Sequence, residues 1–182
     1  EDLALDSDGN IWATHLAEGV SRFDGAQWRK YTTDDGLADN WVYSITADEA
    51  GKLWFGTGAG VSVYDGADWM TYTTGDGLAG EWVSGVAAAP TGELWFATDG
   101  GVSKFDGQMW TTHLDGRSVS AVAVNPDGEV WAAGGGFVSK WDGAAWRDVL
   151  PAYFANQLPT TLAVRADGEV WVGTLDDGVT IL

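Results

Sequence analysis

The sequence predicts an all-β fold, a five-bladed β-propeller of four-stranded antiparallel blades in which the last blade lacks its outer strand. Three observations lead to this expectation. A turn glycine followed three positions later by tryptophan recurs about every 40 residues, and each unit holds four short segments rich in β-branched and aromatic residues. No unit shows the 3.6-residue apolar period of a helix. Four-stranded repeats of this length without helices are typical of propeller blades. The recurring tryptophans are Trp12, Trp54, Trp95, Trp131 and Trp171.

The second unit shows most clearly how one blade is built. We label the strands of a blade a to d from the propeller axis outwards, and in this unit they are expected at residues 42–47, 53–57, 61–64 and 69–73. An Asp-Gly pair lies between strands c and d. Such a pair is typical of a tight hairpin turn, in which Gly takes a positive φ and Asp accepts backbone N–H groups. The pairs are Asp24-Gly25, Asp65-Gly66, Asp106-Gly107 and Asp142-Gly143.

The repeats predict one domain over residues 1–182 with nineteen strands, because the fifth unit stops after strand c. The tryptophans of the Trp12 and Trp28 columns are expected in the core between blades. Neither end of the sequence offers the missing outer strand. We therefore expect either a five-bladed ring closed by blade packing alone or a piece of a longer array. The blades are expected at approximately 1–40, 41–81, 82–117, 118–157 and 158–182.

The charge balance argues against several classes of partner. The 182 residues carry 27 Asp and Glu against 9 Lys and Arg, a net charge of −18. Nucleic acids and anionic membrane surfaces are bound through clustered basic residues, which this sequence lacks. No apolar run is long enough to predict a transmembrane helix, so membrane insertion is not expected. The absence of cysteine excludes disulfides, a thiolate nucleophile and cysteine-ligated zinc.

Three segments of the first unit carry a family resemblance. They read D-G-N-I-W-A-T (8–14), G-V-S-R-F-D-G (19–25) and Y-T-T-D-D-G-L-A-D-N (31–40). They resemble the two-component regulator propeller repeat, and similar segments recur along essentially the whole chain. The resemblance implies a sensory or ligand-binding propeller outside the bacterial cytoplasm, in an extracellular or periplasmic location. Relatives occur as periplasmic sensor domains in which long arrays recognise glycan fragments, whereas this sequence has five units and neither a membrane segment nor a kinase.

Candidate ligand-binding residues lie where loops between strands b and c and links between strands d and a share one face of a propeller. In the link 150–160 the rings of Tyr153 and Phe154 can stack on a sugar while Asn156 and Gln157 supply hydrogen bonds. The alternative is that these two side chains plug the top of the propeller or cover its last blade. Trp41 and Trp82 form aromatic platforms or pack against the neighbouring blade, and His15 is either a site residue or a polar replacement at a strand end. The candidates are Trp41, Trp82, Tyr153, Phe154, Asn156, His15 and Arg117.

No metal site, cofactor or catalytic centre is expected. His15 and His113 belong to different blades, and His113 is most simply an amphipathic filler. The segment from Asp6 to Asn10 looks like a calcium loop, but its counterparts share only the turn. A cation at the acidic link 34–39 and a carboxylate pair acting on a glycosidic bond remain open. The sequence has none of the nucleophile, zinc or phosphate motifs of common enzymes.

The sequence therefore favours a noncatalytic propeller that binds a carbohydrate or another small polar ligand on its link face. The alternative is a structural or protein–protein interaction scaffold, as a fragment of a larger surface or sensor protein. A protein partner or self-association is then expected at the incomplete blade. A glycan array separates the two readings, because a scaffold binds no sugar.

Overall fold

The computed structural model describes residues 2–149 and 157–182, which form nineteen β-strands in five antiparallel sheets. Blade 1 contains β1–β4, blade 2 β5–β8, blade 3 β9–β12, blade 4 β13–β16 and blade 5 β17–β19. The predicted five blades, with an incomplete last one, are confirmed. In chain order the strands are β1 (Leu3–Leu5), β2 (Ile11–His15), β3 (Gly19–Phe23), β4 (Trp28–Tyr31), β5 (Val42–Ala47), β6 (Leu53–Thr57), β7 (Gly60–Tyr64), β8 (Trp69–Tyr72), β9 (Val83–Ala88), β10 (Leu94–Thr98), β11 (Gly101–Phe105), β12 (Trp110–His113), β13 (Val119–Val124), β14 (Val130–Gly134), β15 (Phe137–Trp141), β16 (Trp146–Asp148), β17 (Pro159–Val164), β18 (Val170–Thr174) and β19 (Val179–Ile181).

The Asp-Gly pairs make the turns between strands c and d, as predicted. Asp65 Oδ1 accepts the backbone N–H groups of Ala67 and Asp68 at 3.0 and 2.9 Å. Gly66 has a φ of +102°. The same carboxylate contacts recur in blades 1, 3 and 4. These hairpins and the turns between strands a and b form one side of the molecule, which we call the hairpin face.

The opposite side, which we call the link face, carries the b–c loops and the d–a links. Gly60 N–H donates to the carbonyl of Glu81 at 2.7 Å, and Gly58 N–H donates to the carbonyl of Trp41 at 3.0 Å. These bonds tie the b–c loop of blade 2 to the links on both sides of it. Two links contain a single 3₁₀ turn with a capping box, Thr33–Asp35 and Thr74–Asp76. In residues 2–149 and 157–182 no helix has the length and apolar character needed to span a bilayer.

The core consists of layers between neighbouring blades. Each blade has a forward face toward the next blade and a backward face toward the preceding one. Trp12, on the forward face of blade 1, lies with its ring centroid 5.8 Å from Phe55 and 5.3 Å from Tyr64 of blade 2. Trp54 repeats these contacts with Phe96 and Phe105 of blade 3. Burial of large aromatic rings therefore contributes strongly to packing at the first two junctions.

The inner strands are also joined by side-chain hydrogen bonds. Asp2 Oδ2 accepts the N–H of Ile45 at 3.1 Å and the hydroxyl of Ser44 at 3.2 Å. Ser44 Oγ in turn accepts the N–H of Val86 at 3.2 Å. Small polar side chains in and beside strand a thus connect the first three blades near the axis.

The five blades form an open arc. Inner strands pack in the order β1, β5, β9, β13 and β17, but β17 does not pack against β1 as the neighbours in this series do. On the backward face of blade 1, Leu3 is 69% exposed, whereas its counterpart Ile45 in blade 2 is buried. The expectation of a ring closed by blade packing alone is therefore wrong. Trp28 is also exposed instead of lying in the core, because no blade covers this face.

Candidate functional site: an aromatic groove on the link face

Trp41 and Trp82 line one groove at the junction of blades 2 and 3. The groove has a volume of about 270 Å³ and is lined by Asp39, Trp41, Tyr43, Gly58 and Trp82. Trp41 is 48% exposed and Trp82 is 51% exposed. The structure therefore brings together two of the candidate ligand-binding residues predicted from the sequence, and both of their rings are open to solvent.

Each tryptophan is held by its backbone at the entrance of a strand a. The N–H of Trp41 donates to Asp39 Oδ1 at 3.1 Å, while its carbonyl accepts the N–H of Gly58. The N–H of Trp82 donates to Asp99 Oδ1 at 3.2 Å, and its carbonyl accepts the N–H of Asp99 at 3.1 Å. Hydrogen bonds thus hold the main chain of each tryptophan against the b–c loop of its own blade. The position from which each indole ring extends is therefore fixed.

Tyr43 completes the groove, and the sequence reasoning missed it. The register between β5 and β6 shifts between Val42 and Ser44, which places Tyr43 at a β-bulge. Its ring stacks on Trp82 with centroids 5.1 Å apart and an interplanar angle of 20°. One face of the Trp82 ring therefore packs against Tyr43 of the neighbouring blade, as the packing alternative predicts. The rest of the side chain is exposed to solvent.

A signal for Tyr43 was present in the repeat. The corresponding bulge residues in blades 3, 4 and 5 are Ser84, Ser120 and Thr160. Ser84 Oγ donates to the carbonyl of Val119 in the next blade at 3.1 Å, and Ser120 does the same toward Pro159. Tyr43 is an aromatic residue in a column of small hydroxyl residues, and this departure marks the groove.

The groove presents a hydroxyl group and a carboxylate beside its aromatic faces. Burial, with a smaller contribution from the Asp39 carboxylate, raises the pKa of the Tyr43 hydroxyl. The phenol therefore keeps its proton and can donate a hydrogen bond at neutral pH. Asp39 supplies carboxylate oxygens that can accept one. Because the lining carries a carboxylate and no basic side chain, it suits a ligand with hydroxyl groups better than an anion.

Two further hollows adjoin the groove. A recess of about 290 Å³ lies on the other side of Trp82 and is lined by residues that include Ser84, Asp99 and Ser120. A cavity of about 400 Å³ near the axis shares Tyr43 and Ser84 with these sites. Trp82 thus lines both the groove and the recess, and Tyr43 lines both the groove and the axial cavity.

The other predicted site residues do not line the groove. His15, at the end of β2, has its Nε2 2.9 Å from Ser21 Oγ. Arg117 pairs with Asp148 at 3.1 Å, and its guanidinium carbon lies 3.7 Å from the ring centroid of Phe137. A role for His15 or Arg117 in ligand binding stays a prediction. Tyr153, Phe154 and Asn156 lie outside the described residues.

A second cleft, of about 490 Å³, lies on the hairpin face between blades 3 and 4. Both of its lysines are already paired. Lys104 meets Glu93 at 3.1 Å and Lys140 meets Glu129, while each ammonium lies 5.3 Å from the ring centroid of the tryptophan opposite in strand b. These pairs satisfy one another across strands, so this cleft is the weaker candidate for ligand binding.

The remaining titratable candidates have structural partners. Asp6 accepts the N–H groups of Asp8 and Asn10 and the indole N–H of Trp12, which supports the turn interpretation of the calcium-like segment. His113 packs 4.7 Å from the Trp141 ring, and burial lowers the pKa of its imidazole. Within the described part of the chain, no three His, Asp or Glu side chains gather as metal ligands.

Comparison with solved structures identifies the architecture. The extracellular domain of BT3049, assigned to a hybrid two-component system of B. thetaiotaomicron, superposes with a TM-score of 0.82 over 98% of this chain at 19% identity. The corresponding domain of BT4673 gives 0.82 over 99% at 21% identity. Virginiamycin B lyase from Staphylococcus aureus gives 0.74 over 100% at 14% identity. At these identities the similarity shows the fold alone.

The chain spans only part of each of these proteins. It covers 27% and 28% of the two extracellular domains and 68% of the lyase. No curated protein matches the sequence significantly. The family model for the two component regulator propeller matches residues 36–59, the segment that runs from the first link to the b–c loop of blade 2. The chain is thus a β-propeller fold in which residues 36–59 match the two component regulator propeller model.

Proposed function

We propose that this propeller is a noncatalytic recognition module that binds a carbohydrate or a similar neutral polar ligand in the aromatic groove. The observation that carries the proposal is the pair of half-exposed tryptophans, Trp41 and Trp82, with Tyr43 stacked beside them. A sugar ring presents a C–H face that packs on aromatic rings and hydroxyl groups that need polar partners. Tyr43 and Asp39 supply a donor and an acceptor at the edge of the groove.

A location outside the cytoplasm and a lack of catalysis belong to the same proposal. Support for the location comes from the similar extracellular domains of the B. thetaiotaomicron proteins. The groove contains one carboxylate, whereas hydrolysis of a glycosidic bond ordinarily uses a pair. The resemblance to a lyase at 14% identity concerns the fold and carries no activity to this chain.

A glycan array followed by titration calorimetry tests the proposal. Trp82→Ala is expected to weaken binding of the best glycan by at least about tenfold, because a stacked aromatic ring is a typical hot spot. Trp28→Ala is the matched control, since Trp28 is equally accessible but lies on the backward face of blade 1. Circular dichroism should show that both variants fold like the parent.

Two results would contradict the proposal. One is a blank array from well-folded protein, and the other is binding that Trp28→Ala weakens as much as Trp82→Ala does. Either result would favour the scaffold function, for which the exposed apolar faces at the two ends of the arc are the relevant observation.

A further inference from the structure

The groove and the recess beside it occupy equivalent positions at two successive junctions. Trp41 directly precedes β5 and Trp82 directly precedes β9, so the two tryptophans hold the same position in the repeat. The groove lies between blades 2 and 3 and is lined by both of them. The recess lies between blades 3 and 4, where it is lined by Trp82 and by residues of blade 4 that include Ser118. The two hollows are therefore copies of one site, displaced by one blade.

Each copy also has one carboxylate, although the two come from different segments of the chain. Asp39 of the link and Asp99 of the b–c loop each accept the backbone N–H of the tryptophan of their own blade. In the repeat Asp99 holds the position of Gly58, and Gly80 holds the position of Asp39. A Cβ on Gly58 would lie 2.6 Å from Asp39 Oδ2, and one on Gly80 would lie 2.1 Å from Asp99 Oδ1. Aspartate and glycine thus exchange places, and the carboxylate occupies the same space at both junctions.

Trp82 is the wall that the two hollows share. Tyr43 covers one face of its indole ring at a centroid distance of 5.1 Å, and the recess lies on the side away from Tyr43. With 51% of its surface exposed, Trp82 still offers an aromatic surface to a ligand that extends beyond the groove. Neither hollow is lined by a lysine or an arginine. A long neutral ligand therefore meets similar chemistry on both sides of this ring.

Blade 4 does not continue the series. Ser118 stands at the position of the tryptophan, and Gly116 and Gly135 stand at the two positions that supply the carboxylate. Blades 2 and 3 are consecutive, so their two tryptophans and two carboxylates lie in one row. A row of two similar sites on neighbouring blades suits a ligand that is itself a repeat of similar units.

We propose that the groove and the recess are two successive subsites for one linear chain of neutral sugar residues. One residue packs on Trp41 in the groove, and the chain then passes over Trp82. A later residue enters the recess beside Asp99 and Ser118. The second contact adds affinity without a second loss of translational freedom. This inference rests on the proposed function and narrows its ligand from a sugar to an oligosaccharide.

A ladder of fragments tests the inference. The best neutral glycan of three or more residues on the array is compared by calorimetry with its own fragments of one, two and three residues. The three-residue fragment is expected to bind at least about tenfold more tightly than the single sugar. A ladder that is flat to within about threefold overturns the inference and leaves the proposed function intact. A blank array contradicts the proposed function itself.

Ser118 provides a matched pair of variants. Its side chain is exposed, lines the recess and lies outside the groove. Ser118→Leu places a bulky aliphatic group in the recess, so the advantage of the three-residue fragment is expected to fall below about threefold. The affinity for the single sugar should not change. Ser118→Ala keeps the recess open and should retain the advantage.

Two results with these variants overturn the inference. If Ser118→Leu keeps the full advantage of the longer fragment, the recess is not a second subsite. If it weakens the single sugar as much as the longer fragment, the groove and the recess act as one site. Circular dichroism and thermal unfolding should show both variants folded like the parent, because an exposed serine contributes little to stability.

Discussion

The strand b tryptophans of blades 1 to 4 are all buried, but they do not share the same hydrogen bond. Trp12 Nε1 donates to Asp6 Oδ2 at 2.9 Å, and Trp54 Nε1 donates to Asp48 Oδ2 at 2.8 Å. In blade 3 the corresponding turn residue is Ala89, which offers Trp95 no carboxylate. At the scale of single residues, the blades are therefore unequal in how well their core polar groups are satisfied.

We expect Ala89→Asp to stabilise the protein by about 1 kcal/mol, since it supplies an acceptor for the indole N–H of Trp95 and for the turn. Ala89→Asn is the control. Asn125 occupies this position in blade 4, where it accepts the N–H groups of Asp127 and Glu129 while Trp131 Nε1 has no partner among the described residues. Thermal unfolding of both variants separates the indole bond from the turn bonds. Equal stability of the two would show that the indole bond adds nothing.

At the scale of the strand and its loops, sharp turns decide where each blade meets its links. Gly60 begins β7 with a φ of +104°, and a Cβ there would lie 2.3 Å from the carbonyl oxygen of Tyr72. The close approach is what allows the b–c loop to bond to the link at Glu81. Gly66 has a nearly identical φ of +102° but has open space around it.

These two glycines separate backbone strain from steric contact. Gly66→Ala is expected to cost about 1 kcal/mol, the ordinary cost of a left-handed residue with a Cβ. Gly60→Ala is expected to cost at least about 2 kcal/mol more, because the end of β8 at Tyr72 must also move away from the loop. Urea unfolding of both variants measures the difference. Equal stability of the two variants would show that the close approach of Gly60 to Tyr72 imposes no steric cost.

The strands were predictable because turn chemistry and residue alternation are local properties. The segments 42–47 and 53–57 were predicted with their observed limits, and the Asp-Gly turns follow from the two residues alone. Exposure was not predictable in the same way. Whether Trp41 and Trp82 pack or project depends on how far neighbouring blades rotate about the axis, and that angle is a property of the assembled arc. The exposure of Trp28 was missed for another reason, because no blade covers the backward face of blade 1.

At the scale of the whole molecule, repulsion among the excess acidic groups opposes the compact state. The net charge of −18 leaves many carboxylates without a cation, although ion pairs such as Lys30 with Glu18 and Arg147 with Asp142 occur on the surface. Surface pairs of this kind contribute little, whereas the repulsion among excess acidic groups acts over the whole arc.

Salt is therefore expected to stabilise the protein. Raising NaCl from about 20 mM to about 300 mM shortens the screening length severalfold, and the Tm should rise by about 3 °C. KCl at equal ionic strength should give the same rise, because screening does not depend on the cation. A fall in Tm would mean that the ion pairs outweigh the repulsion.

The repeated pairing of a forward face with a backward face has a consequence for how such proteins change over generations. Duplication or deletion of one whole unit joins the same two kinds of surface at the new junction, so the number of blades can change without redesign of the core. The groove does not share this tolerance, because Tyr43 and Trp82 come from consecutive units and meet at one junction only. An insertion between those two units would keep the fold and erase the binding site, whereas an insertion between other units would leave it in place.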